Sequence, residues 1–269
     1  MEKISKLSVP KFMTIIESRN ADPKEVAPQI IEALKSYKVV KLKLGYHVSE
    51  LREFYDSITD ELGKPHNIAE DFEQGGSQTG ERWMEIRYDN DIPDMSAYRH
   101  SKNGQPLHTD ESYISNPCDI MVFYCVNKAI KGGQTNFVDG VELVERMKSI
   151  APELLTKLST TDVCYEKAGN KRTEKIIDLS IPEQPVFNFN YYCISRDESD
   201  NAKALNSEFF NFLETHIKGS FLECPVELSP GESVFWWDHF VLHGRNPFEA
   251  HKTNDRFIWK TGVSWDDSK

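Results

Sequence analysis

No apolar run in this sequence approaches the roughly 18 to 20 residues needed to cross a bilayer. Its opening stretch, MEKISKLSVPKFM, holds no contiguous apolar segment of signal-peptide type. These two absences predict a cytoplasmic protein with no membrane partner. A block of Lys and Arg is also missing, and the formal net charge of −11 would repel a phosphate backbone, which argues against nucleic acid as a partner. Cys-x-x-Cys does not occur. Cys118, Cys125, Cys164, Cys193 and Cys224 make an odd number, which fits reduced, buried thiols better than a disulfide frame or a thiolate zinc site. Internal repeats and low-complexity blocks are absent, so solenoid architectures are excluded.

What is present is a chain of 269 residues with 39% hydrophobic and 11% aromatic content, enough to bury a substantial core. By length alone, one large β-rich domain with helical decoration fits as well as two small domains. Apolar positions at Val26, Ile30, Ile31 and Leu34 predict a helix over 23–37, and the run from Val39 to Leu44, ended by Gly45, predicts a strand. A second helix is expected from Ser49, as its cap, to Leu62, with Gly63 and Pro65 as stop signals. Residues 65–105 are polar and turn-rich, with only Trp83 to Tyr88 reading as a strand. Such a stretch inside a compact domain suggests a lid or binding loop.

The apolar run Ile120 to Val126 reads as a strand, followed by a GlyGly turn and a short strand from Thr135. Helices are expected at 140–158 and 202–217, with a strand at 185–194 between them. Residues 226–265 read as strand throughout, broken by a turn at 229–231 and a polar loop at 246–254. Helices lead while strands dominate the centre and end. This order favours a β-rich α+β fold, a β-sandwich or jelly roll with packed helices, over an alternating α/β sheet.

His108-Thr109-Asp110 is the sole His-x-Asp. On a strand, residues two apart project to one face, so an imidazole and a carboxylate would converge. With a distant His they would make the facial triad that binds non-haem iron(II) and leaves positions open. His216, His239, His243 and His251 lie downstream. His216 falls in an expected helix and His251 in a polar loop. His239 and His243 share parity on one expected strand, so alternation leaves them tied.

The segments PLHTDESY (106–113), GGQTNFVDG (132–140), WWDHFVLHGRNPF (236–248) and DRFIWK (255–260) together resemble, in order and separation, the taurine dioxygenase and clavaminate synthase-like family of iron(II)/2-oxoglutarate oxygenases. The resemblance runs over about 160 residues, from the metal motif to the C-terminus. It implies a double-stranded β-helix (jelly roll) core with flanking helices, a single oxygenase domain over 1–269 with 65–105 as a lid, and the cofactor set Fe(II), 2-oxoglutarate and O2. Carried over residue by residue, it makes His108, Asp110 and His243 the metal ligands and His239 a structural neighbour. Thr135 and Arg256 become contacts to 2-oxoglutarate; Arg suits that role because its planar fork binds a carboxylate through two hydrogen bonds. Arg245 either approaches the cosubstrate or braces the strand that bears His243.

The family couples decarboxylation of 2-oxoglutarate, to succinate and carbon dioxide, with oxidation of a substrate carbon. A carboxylate at Asp110, where related halogenases have a small residue, favours hydroxylation, or a desaturating or cyclising variant. The expected substrate is a small amino acid or related carboxylate. Lys260 shares parity with Arg256 and stands where relatives often have a second Arg for the substrate's acid. Tyr98, Arg99, Glu111 and Tyr113 are further candidates for the pocket, which loops 65–105 and 165–184 would help to build. Two other classes compete: a zinc hydrolase using the same ligands to activate water, and a jelly-roll binding protein without turnover.

Overall fold

The computed structural model describes residues 9–19, 22–45, 49–67, 69–72, 75–78, 81–92 and 98–268. Two sheets carry the fold. The larger is built from β1 (Met13–Ser18), β2 (Val39–Leu44), β3 (Gly63–Pro65), β4 (Met84–Arg87), β6 (Ile120–Asn127), β9 (Ser233–Trp237) and β11 (Phe257–Trp265). Its order is β1-β2-β9-β6-β11-β3, with β4 also paired to β11. The smaller holds β5 (Gln105–His108), β7 (Thr135–Asp139), β8 (Cys224–Val226) and β10 (Val241–Arg245), in the order β8-β7-β10-β5. Only the β1–β2 pair is parallel in these two sheets. The arrangement is a jelly-roll core with helices on its outer faces, so the fold is β-rich α+β. Among the described residues no helix is long and apolar enough to cross a membrane.

Helices α1 (Pro23–Leu34) and α2 (Leu51–Leu62) cover the larger sheet, packing Val26, Ile30, Tyr55 and Ile58 onto Val40, Leu42, Val122 and Phe235. Asp22 caps α1 by accepting from the Lys24 N–H at 2.9 Å, and Pro23 fills the first turn, where a missing N–H costs nothing. The expected cap on α2 is absent: Glu50 precedes that helix and makes no side-chain cap bond. Helices α3 (Gly140–Ile150), α4 (Pro152–Thr160) and α5 (Asp200–Phe212) cover the smaller sheet through Leu143, Met147, Leu158 and Phe209. The single helix expected over 140–158 is two, because Pro152 cannot continue the first and begins the second.

Between the sheets lies a third cluster, including Phe123, Phe137, Trp236, Val241 and Ile258. Burying one such side chain contributes about 1.5–3 kcal/mol, which makes this layer a rigid floor for whatever lies beside it.

Three further expectations are corrected. The strand foreseen at 185–194 is only Val186–Phe187, followed by a tight turn at Tyr191–Cys193. Backbone groups of Phe189 are used on Thr109, its N–H donating to Oγ1 at 3.0 Å and its carbonyl accepting from Thr109 N–H at 2.8 Å. The loop at 165–184 is largely a hairpin, Asp162–Lys167 with Asn170–Lys175. Segment 65–105 has more strand than foreseen: besides the expected strand, β4, which joins the larger sheet, Ala69–Phe72 pairs with Gly75–Gln78. Positions 68, 73–74, 79–80 and 93–97 of the expected lid lie outside the described residues.

At Gly244 a Cβ would stand 2.8 Å from the Gln105 carbonyl oxygen, so only glycine lets β10 approach β5 this closely. Replacing Gly244 with Ala should therefore lower unfolding free energy by about 1–3 kcal/mol, the usual cost of overpacking, as read by denaturant titration.

Candidate metal centre and cosubstrate pocket

The register of the smaller sheet sets the site. His243 on β10 pairs directly with His108 at the end of β5, and their ring centroids are 4.3 Å apart. Asp110 is not on the strand, contrary to the expectation from alternation. β5 stops at His108, and Thr109 and Asp110 lie just beyond it. The carboxylate converges nonetheless, because Thr109 is held by Phe189 and the Asp110 N–H donates to Asp238 Oδ2 at 2.7 Å. His108, Asp110 and His243 each offer a ligand atom within 4.8 Å of the others.

The chemistry of this donor set fits a metal ion. His108 Nδ1 lies 2.9 Å from the Pro106 carbonyl, which suits an N–H there and turns Nε2 towards the site. Asp110 Oδ2 lies 3.4 Å from His243 Nε2 and is buried, with no hydrogen-bond partner among the described residues. Its other oxygen is 2.6 Å from Lys260 Nζ. Burial opposes the charge on Asp110, yet Lys260 and the two imidazoles hold its carboxyl well below the ordinary range. Burial likewise opposes charge on His243, but Asp110 and Asp238 hold its imidazole up at about 9. Burial keeps His108 below its usual value.

The tie between His239 and His243 is resolved by topology. The single strand expected across both is two strands joined by a turn at Asp238 to Phe240, so they do not share a face of one strand. His239 sits on that turn and is not among the grouped ligands.

Sequence reasoning missed Asp238. It is fully buried, with Oδ1 accepting from the Trp236 indole at 2.9 Å and lying 3.3 Å from His243 Nδ1, while Oδ2 takes the Asp110 N–H. One carboxylate thus orients both Asp110 and His243. The available signal was the Asp five residues before His243 in the same motif, next to a Trp.

Around the triad one cavity is lined by Gln105, Thr135, Arg245, Arg256 and Lys260, so every expected cosubstrate contact is brought to one place. Thr135 is buried opposite Arg245 in the β7–β10 register. The Arg256 guanidinium is buried, touches the Gly133 carbonyl at 3.3 Å and lies over the Phe248 ring. Arg245 is also buried and donates to the carbonyls of Ser101 and Asn103 at 3.1 and 2.7 Å. Among the described residues neither guanidinium has a carboxylate partner, and burial brings them down to about 10 and about 9, the second helped by their mutual repulsion. Two buried cations with no acid between them fit a dianionic ligand.

The remaining candidates divide. Glu111, Tyr113 and Lys260 line a second hollow on the far side of Asp110, with His66, Met84 and Met121. Tyr98 lies elsewhere, in a hollow behind Arg245, where its hydroxyl donates to the Tyr192 oxygen at 2.9 Å. Arg99 donates to the Glu85 carbonyl at 2.7 Å.

Residues 14–261 match the model of the family described as taurine catabolism dioxygenase TauD, TfdA family. The chain belongs to the TauD/TfdA family. Among curated relatives, it is 29% identical over 166 residues to trimethyllysine dioxygenase of Gallus gallus, covering 57% of this chain and 40% of that protein. It is 24% identical over 175 residues to gamma-butyrobetaine dioxygenase of Homo sapiens, covering 60% and 44%. The match thus spans less than half the length of these relatives. Among solved structures, the fold is shared with an asparagine oxygenase in complex with Fe(II), 3-hydroxyasparagine and succinate, at TM-score 0.67, 12% identity and 93% coverage of both chains. A taurine dioxygenase from Burkholderia xenovorans aligns at TM-score 0.62 and 15% identity, over 94% of this chain and 88% of that one. In this TauD/TfdA chain the triad and the two guanidiniums line one cavity.

Asp238→Asn should weaken metal binding about 10- to 100-fold, the usual cost of losing an outer partner of a metal ligand, as measured by equilibrium dialysis. His243→Ala should abolish the site, whereas His239→Ala should leave it intact. Because bound metal displaces the His243 proton, apparent affinity in the wild type should rise with pH up to about 9.

Proposed function

We propose that this chain is an iron(II)- and 2-oxoglutarate-dependent dioxygenase that hydroxylates, desaturates or cyclises a small amino acid or related carboxylate, releasing succinate and CO2. The observation that carries this reading is the triad opening onto two buried guanidiniums that, among the described residues, lack an acidic partner. A zinc hydrolase would need the triad but would have no use for the arginines.

His108, Asp110 and His243 would hold the iron, and Arg256 would receive the distal carboxylate of 2-oxoglutarate, with Thr135 and Arg245 beside it. When bound, iron and 2-oxoglutarate supply the oxidising power, taking up O2. The chain's own part is to bind, to orient and to keep water out. Asp110 would give the iron a carboxylate where a halide would otherwise bind, which favours oxygenation. Asp238 keeps His243 and Asp110 in register, and Phe123 and Trp236 wall the site with apolar surface. The 65–105 segment would act as the lid.

The substrate would enter by the hollow that holds Glu111, Tyr113 and Lys260. Lys260 donates one hydrogen bond to Asp110, and an ammonium has three donors, so two are available to a substrate acid. Its positive charge is favoured: burial works against it, but Asp110 outweighs burial and raises it above the ordinary lysine range. The relatives named for butyrobetaine and asparagine point to the same class, small carboxylates that also bear nitrogen.

The test is a screen of small amino and organic acids for substrate-dependent succinate formation with iron(II) and 2-oxoglutarate. Arg256→Ala should raise the 2-oxoglutarate requirement by an amount equal to about 2–5 kcal/mol, the cost of breaking a desolvated charge pair, while iron still binds. Unchanged cosubstrate affinity would sink that assignment. For any active acid, its neutral amide should react poorly in the wild type, and Lys260→Ala should erase the difference.

A further inference from the structure

Outside the triad, one other group of metal-binding side chains converges among the described residues: His66, Glu111 and Cys118, whose ligand atoms lie within 4.8 Å of one another. They come from three separate segments, the residue just after β3, the turn after Asp110 and the loop before β6. We propose that they form a second metal site, for a borderline-soft divalent ion such as Zn(II), in the wall of the substrate hollow.

The backbone places each group. His66 donates its N–H to the Gly262 carbonyl at 2.9 Å, and its Nε2 is 2.5 Å from Ser264 Oγ. Glu111 adopts a left-handed backbone, φ 52°, uncommon for a residue with a side chain and concentrated at functional sites. Its Oε2 accepts from the Cys118 N–H at 2.8 Å, which fixes carboxylate and thiol side by side. Gly262 makes room for the sulfur: a Cβ there would lie 2.2 Å from Cys118 Sγ.

Ligand type sets the metal. A thiolate, an imidazole and a carboxylate match the donors of zinc sites, whereas the triad offers nitrogen and oxygen alone. Burial and the Glu111 carboxylate hold the thiol proton firmly, so binding requires the ion to displace it to solvent, as coordinating metals do. His66 and Glu111 face the hollow, which leaves a coordination position reachable from it. If the oxygenase reading holds, an ion there narrows the path to Lys260 and Tyr113, so zinc would act as an inhibitor distinct from displacement of iron.

Iron-loaded full-length protein, kept anaerobic, is titrated with Co(II), a coloured stand-in for Zn(II), while thiolate-to-cobalt charge transfer is followed by ultraviolet absorption. The triad holds no sulfur, so cobalt replacing iron gives no such band, and the readout stands apart from any oxygenase activity. We expect a saturable band that Zn(II) abolishes, that Cys118→Ser lacks, and whose Co(II) affinity falls about tenfold or more in His66→Asn. No band at saturating Co(II), or a band undiminished in Cys118→Ser, overturns the proposal. Should the serine variant not fold, unchanged affinity in His66→Asn overturns it alone.

Discussion

The pairing of His243 with His108 across two strands of the smaller sheet is the constraint on which the site depends. A one-residue slip would turn one imidazole to the opposite face, so the β-sheet register also sets whether the two imidazoles can meet. Glycine at 244 permits the approach, and the aromatic layer of Phe137 and Trp236 holds it from below. Asp238 then ties the third ligand to this pair, through the Asp110 backbone on one oxygen and the His243 ring on the other. Ligand geometry is thereby carried by backbone hydrogen bonds and a rigid core.

Charge is arranged on the same plan. The site places the Asp110 carboxylate between an imidazole pair and an ammonium, and sets two guanidiniums in the same cavity. In a poorly hydrated pocket such unneutralised cations are costly, and they gain most from a ligand bearing two acid groups. The protein holds in reserve an electrostatic imbalance that 2-oxoglutarate would relieve. Lys260 sits where this cavity meets the substrate hollow, so the two would be linked through Asp110.

Much of this was legible in the sequence, and the rest was not for physical reasons. The triad, Thr135, Arg245 and Arg256 were read from ordered motifs, and all face one cavity. The run at 39–44 became a strand as expected, and the apolar run at 120–126 became a buried one, since continuous hydrophobicity is dictated by burial on both faces. Strand parity failed at Asp110 and at His239, where turns interrupt what composition alone reads as continuous. Asp238 was missed because its place in the motif, five residues before His243, does not by itself reveal the imidazole and the backbone N–H that it meets in the fold. The strand expected at 185–194 failed because Phe189 bonds to a loop residue 80 positions away in sequence, a tertiary demand that no local pattern encodes.

The central claim is that iron and 2-oxoglutarate bind together on these residues. The most direct measurement is the visible absorption of the anaerobic protein with both added, since a 2-oxo acid chelating iron(II) gives a charge-transfer band that neither component gives alone. The account predicts a band that saturates at a single iron per chain and is absent in His243→Ala. A wild-type protein that binds iron yet shows no band with saturating 2-oxoglutarate, or an equal band in His243→Ala, would contradict it.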